Sequence, residues 1–181
     1  MKLKDVEKVL IAKTELKERI EQLGDEISKD FGDNDILAIG ILKGSVIFLA
    51  DLIRCISNNV SLDFMTVSSY GNGAVSTGKL TIKKDLDVDI KGKHVLIVED
   101  IIDSGITLSK LKEELLSREP ASLKICTLLN KPERRTAKID VDYIGFDIPN
   151  EFIIGYGLDY AEKYRELPFI GVLKREIYEK D

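Results

Sequence analysis

This chain of 181 residues has one histidine, two cysteines and no surplus of basic charge, and each scarcity excludes something. With His94 as the lone imidazole, a Ser–His–Asp triad has a single candidate base, and a multi-histidine metal site is impossible. His94 itself reads as a water-facing residue at a strand edge. Cys55 and Cys126 lie far apart in apolar segments, so they read as small buried hydrophobes. They do not form the Cys pattern of a secreted disulfide framework. The formal net charge is −5, with acidic and basic residues interspersed. A nucleic-acid binder carries a basic field, so no nucleic-acid partner is expected. The longest clean apolar run, residues 36–42, is far too short to span a membrane. The first ten residues alternate charged and apolar side chains and hold no signal-peptide core. A cytoplasmic protein without membrane contact is therefore expected.

What is present fits one domain, residues 1–181, large enough for a core without disulfides or structural metal. Leu16, Ile20, Leu23 and Ile27 recur at helical spacing, which predicts a helix from a Thr14 cap to about Phe31. Residues 36–42 are apolar throughout, as in a strand covered on both faces. Lys43 and Gly44 end it, and Ser45 is placed to cap a helix over about residues 46–56. That helix is apolar nearly all round, so it is either buried or part of a subunit interface. Strands are predicted at residues 62–70, 80–82, 94–98 and 122–129. A helix bearing Leu108, Leu111, Leu115 and Leu116 lies before the last of these. Residues 143–148, 152–157 and 169–174 read as further strands. Residues 71–78, with three glycines, form a flexible loop or a plain hairpin. Alternation of strand and helix through the middle of the chain argues for a mostly parallel sheet with helices on both faces.

In an open α/β sheet, ligands bind at the carboxyl ends of strands. Three such ends carry chemistry here: Lys43-Gly44, Glu99-Asp100 and Lys131. The densest segment is residues 95–107, Val-Leu-Ile-Val-Glu-Asp-Ile-Ile-Asp-Ser-Gly-Ile-Thr. It runs from strand through an acidic pair and a tight turn into a helix. The turn offers backbone N–H groups at a helix N-terminus, with hydroxyls from Ser104 and Thr107, which suits a phosphate. Gly105 lets the backbone approach the anion. The acidic pair repels phosphate but suits sugar hydroxyls and Mg²⁺, a hard ion that keeps several waters. A 5-phosphorylated ribose with Mg²⁺ satisfies both halves. Gly155-Tyr-Gly157 is no dinucleotide fingerprint, because a third glycine and a following helix are absent. No Walker A sequence is present.

Residues 95–107 resemble the phosphoribosyl-pyrophosphate signature of the type I phosphoribosyltransferases, and their Glu-Asp-Ile-Ile-Asp-Ser-Gly form is similar to the hypoxanthine–guanine branch. Residues 42–45 (Leu-Lys-Gly-Ser) resemble that family's pyrophosphate loop. Residues 68–71, with 76–78 beyond, resemble its mobile catalytic loop. Residues 128–132 and 151–159 resemble its purine-binding pieces. The resemblance implies an α/β fold with a mostly parallel central sheet flanked by helices and a small hood made from the chain ends. It implies purine salvage: transfer of a phosphoribosyl group from 5-phosphoribosyl-1-pyrophosphate to hypoxanthine or guanine, giving IMP or GMP plus pyrophosphate, with Mg²⁺ as cofactor.

The same resemblance implies residue roles. Glu99 and Asp100 would hold the ribose hydroxyls with Mg²⁺ nearby, and Asp103 would be the general base that takes the proton of purine N7. The main chain from Asp103 to Thr107, through Ser104, Gly105 and Ile106, would bind the 5′-phosphate. Lys43 and Gly44 would meet the pyrophosphate, helped by Arg165, across a cis Leu42–Lys43 peptide. Ser69 and Tyr70 would close over the leaving group. Asp159 would support a second metal or its waters. Phe152 would stack on the purine, and the Ile153 backbone would meet its N1/C2 edge. Lys131 is a donor that cannot accept when charged, so it suits the O6 acceptor of hypoxanthine and guanine and opposes the N6 amine of adenine. Glu151 departs from the lysine that some family members carry.

Three rivals compete. A signalling receiver domain also has an acidic pair at a strand end, but too few residues follow Asp100 for that fold. An RNA-binding regulator on the same fold would need a basic surface. The same chemistry on xanthine or a pyrimidine stays open, since xanthine also carries O6. The apolar helix at 46–56 points to a homodimer or homotetramer.

Overall fold

The computed structural model describes residues 3–69 and 80–179. A 3₁₀ turn, Leu3–Asp5, leads into β1 (Val6–Ile11). Then come α1 (Lys13–Phe31), β2 (Ile36–Ile41) and α2 (Val46–Leu52), which continues as a 3₁₀ turn over Ile53–Cys55. Next are β3 (Val60–Ser69), β4 (Leu80–Lys84), β5 (His94–Ile102), α3 (Ile106–Leu116) and β6 (Ser122–Asn130). A 3₁₀ turn over Pro132–Arg134 precedes β7 (Tyr143–Asp147), β8 (Ile153–Ile154), β9 (Ile170–Leu173) and α4 (Arg175–Tyr178).

The central sheet has the order β4-β3-β2-β5-β6-β7. Every pairing in it is parallel except β3 with β4. The apolar strands are buried on both sides. Ile36 and Ala38 of β2 and Leu96 and Val98 of β5 pack with α1 and α2. Leu37, Ile39 and Ile41 of β2 and Val95 and Ile97 of β5 pack with Leu108, Leu111 and Leu115 of α3. Alternate side chains of one strand thus enter two separate cores, which is why residues 36–42 show no polar alternation. The chain ends build a second, three-stranded sheet, β1-β9-β8, with both pairings antiparallel. It forms the hood. No helix among the described residues is long and apolar enough to cross a membrane.

Several expectations shift in detail. Helix α1 begins at Lys13, and Thr14 does not cap it. Ala12 is the extended N-cap residue, and the Glu15 carboxylate accepts the Ala12 N–H at 2.8 Å. Ser45 is the N-cap residue of α2, as expected, but its hydroxyl donates back to the Ile41 carbonyl at 2.7 Å and makes no cap bond to a helix N–H. Strand β5 runs four residues past the predicted end at Val98, because Glu99, Ile101 and Ile102 keep pairing with β6. Strand β8 is short because the backbone turns to positive φ at Gly155, Tyr156 and Gly157. His94 starts a central strand, and its Nδ1 lies 2.8 Å from the Ser122 hydroxyl, so it is no edge residue. Cys126 is fully buried and Cys55 only partly.

Candidate active site

Reading outward from β2, the sheet runs to β3 on one side and to β5, β6 and β7 on the other. The strand order therefore reverses between β2 and β5, and a crevice opens at their carboxyl ends. Lys43 and Gly44 follow β2, and Glu99 and Asp100 lie in the last turnout of β5. Strand β2 stops pairing with β5 at Gly40–Val98, so the acidic pair overhangs the crevice.

The loop after β2 meets β5 at one very tight contact. A Cβ at Gly44 would lie 1.6 Å from Asp100 Oδ2, and a Cβ at Gly157 would lie 2.1 Å from the Gly44 carbonyl oxygen. Only backbone fits there, and Gly157 also needs its φ of 105°. The Leu42–Lys43 peptide just before is cis. Burial, with the neighbouring Asp100 charge adding to it, pushes the Glu99 carboxyl well above its ordinary range. Burial also raises Asp100, while its bond with Glu99 and the Ile101 N–H pull the other way. The pair therefore binds protons more readily than free carboxylates do.

Beyond β5 the chain turns through Asp103 and Ser104 to Gly105, whose φ of 77° is the left-handed entry to α3. The Ser104 carbonyl accepts the N–H groups of Thr136 and Ala137, both at 3.0 Å, which pins the turn. Ser104, Gly105 and Thr107 line the crevice where α3 begins, at the positive end of the helix dipole. Ile106 is exposed, and its N–H lies 3.4 Å from the Ser104 hydroxyl oxygen.

A cavity of about 350 Å³ gathers Lys43, Gly44, Glu99, Asp100, Asp103, Ser104, Gly105, Thr107, Asp159 and Arg165. A second, of about 770 Å³, gathers Asp103, Lys131, Phe152, Ile153 and Asp159. The two share Ile101, Asp103 and Asp159. Of the predicted residues, Ser69 ends β3, its backbone paired with Leu80, and Tyr70 lies outside the described residues.

On the second side, Lys131 is 9% exposed and donates to the Glu151 carbonyl at 2.8 Å. Burial lowers its pKa, and the Asp103 charge opposes that shift. The Glu151 carboxylate pairs with Lys8 of β1 at 2.9 Å, so position 151 gives the site its carbonyl rather than its side chain. Asp159 is bonded to Arg165 at 2.9 Å and to the Glu162 N–H at 2.8 Å. Arg165 also donates to the Gly157 carbonyl at 2.7 Å, and Lys43 pairs with Glu162 at 3.1 Å.

The sequence reading missed Arg134 and Arg135. Arg134 Nε lies 2.6 Å from Asp103 Oδ1, and Arg135 Nε donates to the Asp103 carbonyl at 3.2 Å. Two consecutive arginines just after Lys131 were the available signal.

Among the described residues, no three His, Cys, Asp or Glu side chains gather as a metal cluster. Two adjacent carboxylates, Glu99 and Asp100, do suit Mg²⁺, which binds through one or two carboxylates and takes its other ligands from water and substrate phosphate.

A cleft with an anion cradle, a carboxylate pair and cations on both flanks defines a transferase-type site for a phosphorylated sugar. Residues 10–161 match the phosphoribosyl transferase domain, and the chain belongs to that family. It is 53% identical over 175 residues to the hypoxanthine-guanine phosphoribosyltransferase of Bacillus subtilis, covering 97% of each chain. It is 52% identical over 174 residues to the enzyme of the same name from Streptococcus pneumoniae, covering 96% of this chain and 97% of the other. A crystal structure of a hypoxanthine phosphoribosyltransferase from Staphylococcus aureus superposes with a TM-score of 0.94 at 47% identity, covering 98% of this chain and 96% of the other.

Two outcomes follow from this geometry. Gly44→Ala must push Asp100 or the loop aside, and a displacement of about 1 Å can cost roughly a hundredfold in rate. Steady-state kinetics of transfer in the variant should show at least that loss in kcat/KM, and near-normal turnover would contradict the contact. The raised Glu99 carboxyl holds a proton in the folded chain that the unfolded chain releases. Its contribution to stability is thus present at low pH and lost as pH rises from the ordinary carboxylate range through the folded value. Glu99→Gln removes that loss. In metal-free buffer its melting temperature should exceed the parent's by more at about pH 8 than at about pH 5.

Proposed function

We propose that the chain transfers the 5-phosphoribosyl group of 5-phosphoribosyl-1-pyrophosphate to hypoxanthine or guanine, giving IMP or GMP and pyrophosphate, as a cytoplasmic purine-salvage enzyme. The observation that carries this reading is the junction of two cavities at Asp103, with the acidic pair and anion cradle on one side and Lys131 on the other. A reaction that joins a phosphorylated sugar to a base needs one such meeting point.

In this reading the amides from Asp103 to Thr107 hold the 5′-phosphate, and Glu99 and Asp100 accept hydrogen bonds from the ribose hydroxyls. Lys43, the Gly44 backbone and Arg165 face the pyrophosphate. By the resemblance, Ser69 and Tyr70 close over that leaving group and exclude water, which would otherwise hydrolyse the donor. Mg²⁺ held beside Glu99 and Asp100, with Asp159 assigned to a second ion or its waters, would neutralise charge on the leaving pyrophosphate. Lys131 donates to O6, Phe152 stacks on the ring, and the Ile153 backbone meets the N1/C2 edge. As the C1–O bond breaks, the base nitrogen attacks C1 and Asp103 takes the N7 proton. Positioning and fixed charge supply most of the rate.

An apolar groove of about 630 Å³ between α1 and α2, lined by Leu16, Ile20, Ile47 and Leu167 among others, is the surface assigned to a second copy. A homodimer or homotetramer is the assembly this reading adopts.

The direct test is a panel of hypoxanthine, guanine, xanthine, adenine and uracil with the activated ribose donor and Mg²⁺. Turnover restricted to uracil or adenine would end the proposal. Lys131→Ala should raise KM for hypoxanthine and guanine by about tenfold or more, the worth of a charge-assisted hydrogen bond, and should narrow the gap to adenine. Unaltered selectivity would remove Lys131 from base recognition. Asp103→Asn should lower kcat by roughly 10²–10⁴-fold, the range for a positioned general base, with little change in donor affinity. Full turnover in that variant would deny Asp103 its role.

A further inference from the structure

The base-side cavity has a wall that neither the sequence reading nor the proposed reaction uses. Tyr178, in the last helix, lines it together with Phe152. The two rings stack, with centroids 4.7 Å apart and planes 24° apart. A ring between them would need about twice the usual stacking spacing, so Tyr178 takes one face of Phe152 outright. Tyr160 meets Phe152 at right angles, with centroids 5.5 Å apart and planes 87° apart. Phe152 alone has two side-chain torsions and sits at the mouth of a wide cavity. Its direction is set by these two tyrosines.

Helix α4 is itself anchored. The Lys174 N–H donates to the Asp5 carbonyl at 3.0 Å, which ties the segment to the start of β1. Ile177 and Tyr178 pack against the small hood core around Ile154, Tyr164, Leu167 and Leu173. The aromatic contact therefore joins the chain's last helix to the base site through a rigid sheet.

We propose that Tyr178 is a positioning residue for the base: it backs one face of Phe152 and thereby fixes the other face as the platform on which the purine stacks. This rests on the proposed purine transfer and adds to it a residue 26 positions beyond Phe152. An aromatic pair contributes beyond its buried area by an amount that corresponds to roughly a three- to tenfold change in an equilibrium constant. The contact should therefore appear in base binding and not in donor binding.

The experiment compares Tyr178→Ala, Tyr178→Leu and Tyr178→Phe in the full chain, with KM measured separately for hypoxanthine and for the activated ribose donor, and with thermal melts alongside. Tyr178→Ala and Tyr178→Leu should raise the hypoxanthine KM about three- to tenfold and leave the donor KM and kcat near the parent values. Tyr178→Phe, which keeps the ring and loses the hydroxyl, should restore the parent KM. An unchanged hypoxanthine KM in Tyr178→Ala overturns the inference. A lowered KM overturns it too, since Tyr178 would then obstruct the platform. So does a joint rise of both KM values with a fallen melting temperature, which marks a general structural role. If the parent protein shows no transfer to hypoxanthine at all, the underlying reading fails instead, and the two failures are distinct.

Discussion

At residue 44 the backbone passes so close to Asp100 that no side chain of any size fits between them, and at residue 157 another glycine rests on that same backbone. Three loops from distant parts of the chain, after β2, at the end of β5 and after β8, converge on this one contact. Everything the cleft does depends on it. It sets how near the loop after β2 comes to the carboxylates of Glu99 and Asp100, which line the same cavity. Burial raises the proton affinity of both, and for Glu99 the Asp100 charge adds to it. A pair of desolvated acids is unfavourable for the empty protein, and it is relieved when a cation or a sugar diol arrives. In the proposed function, stability given up at the site would be recovered as affinity for the ligand, a common division between folding and function.

The cleft's cations are arranged with the same logic. Lys43 pairs with Glu162, Arg165 with Asp159 and Arg134 with Asp103. Lys43 and Arg165 line one cavity and Arg134 the other, so each pairing places a carboxylate against a cation of the cleft. Exposed or half-exposed pairs of this kind are worth about 0–1 kcal/mol, so a phosphate or a base can exchange with the carboxylate partner at small cost. A chain with net charge −5 can therefore hold a strongly anionic substrate. Net charge reports the surface, whereas binding is decided by cations whose partners are easily replaced.

How much of this was legible in the sequence depends on how local each feature is. Residues 95–107 contain strand, acidic pair, turn and helix start in one unbroken run, so their chemistry can be read without knowing the fold. The doubly covered β2 was equally plain, since its alternate residues enter two cores. The hood was harder. Strand β1 mixes charged and apolar residues because only one side packs, and its partner β9 lies some 160 residues on. The end of β8 depends on a positive φ at Tyr156, which no composition rule supplies. Thr14 and Ser45 both looked like caps. The backbone chose Ala12 with the Glu15 carboxylate in one case and a bond back to Ile41 in the other, choices fixed by where the preceding strands end. Arg134 had only the weak signal of two consecutive arginines, and Tyr178 had none, because their partners, Asp103 and Phe152, are brought to them only by the fold.

In the proposed function, selectivity for the base and removal of its proton are linked through one pair of side chains, Lys131 and Asp103. A protonated lysine offers only donors, whereas a neutral amine has a lone pair and can accept from an exocyclic amine. In that reading Lys131 opposes adenine only in its charged form. Its burial works against that charge, and the nearby Asp103 carboxylate works for it. In the proposed mechanism Asp103 is also the group that takes the N7 proton. While Asp103 is ionised it is ready to act as a base and it keeps Lys131 cationic. In the proposed function the same carboxylate would therefore both accept the proton of the base and help keep Lys131 in the charged form that selects it.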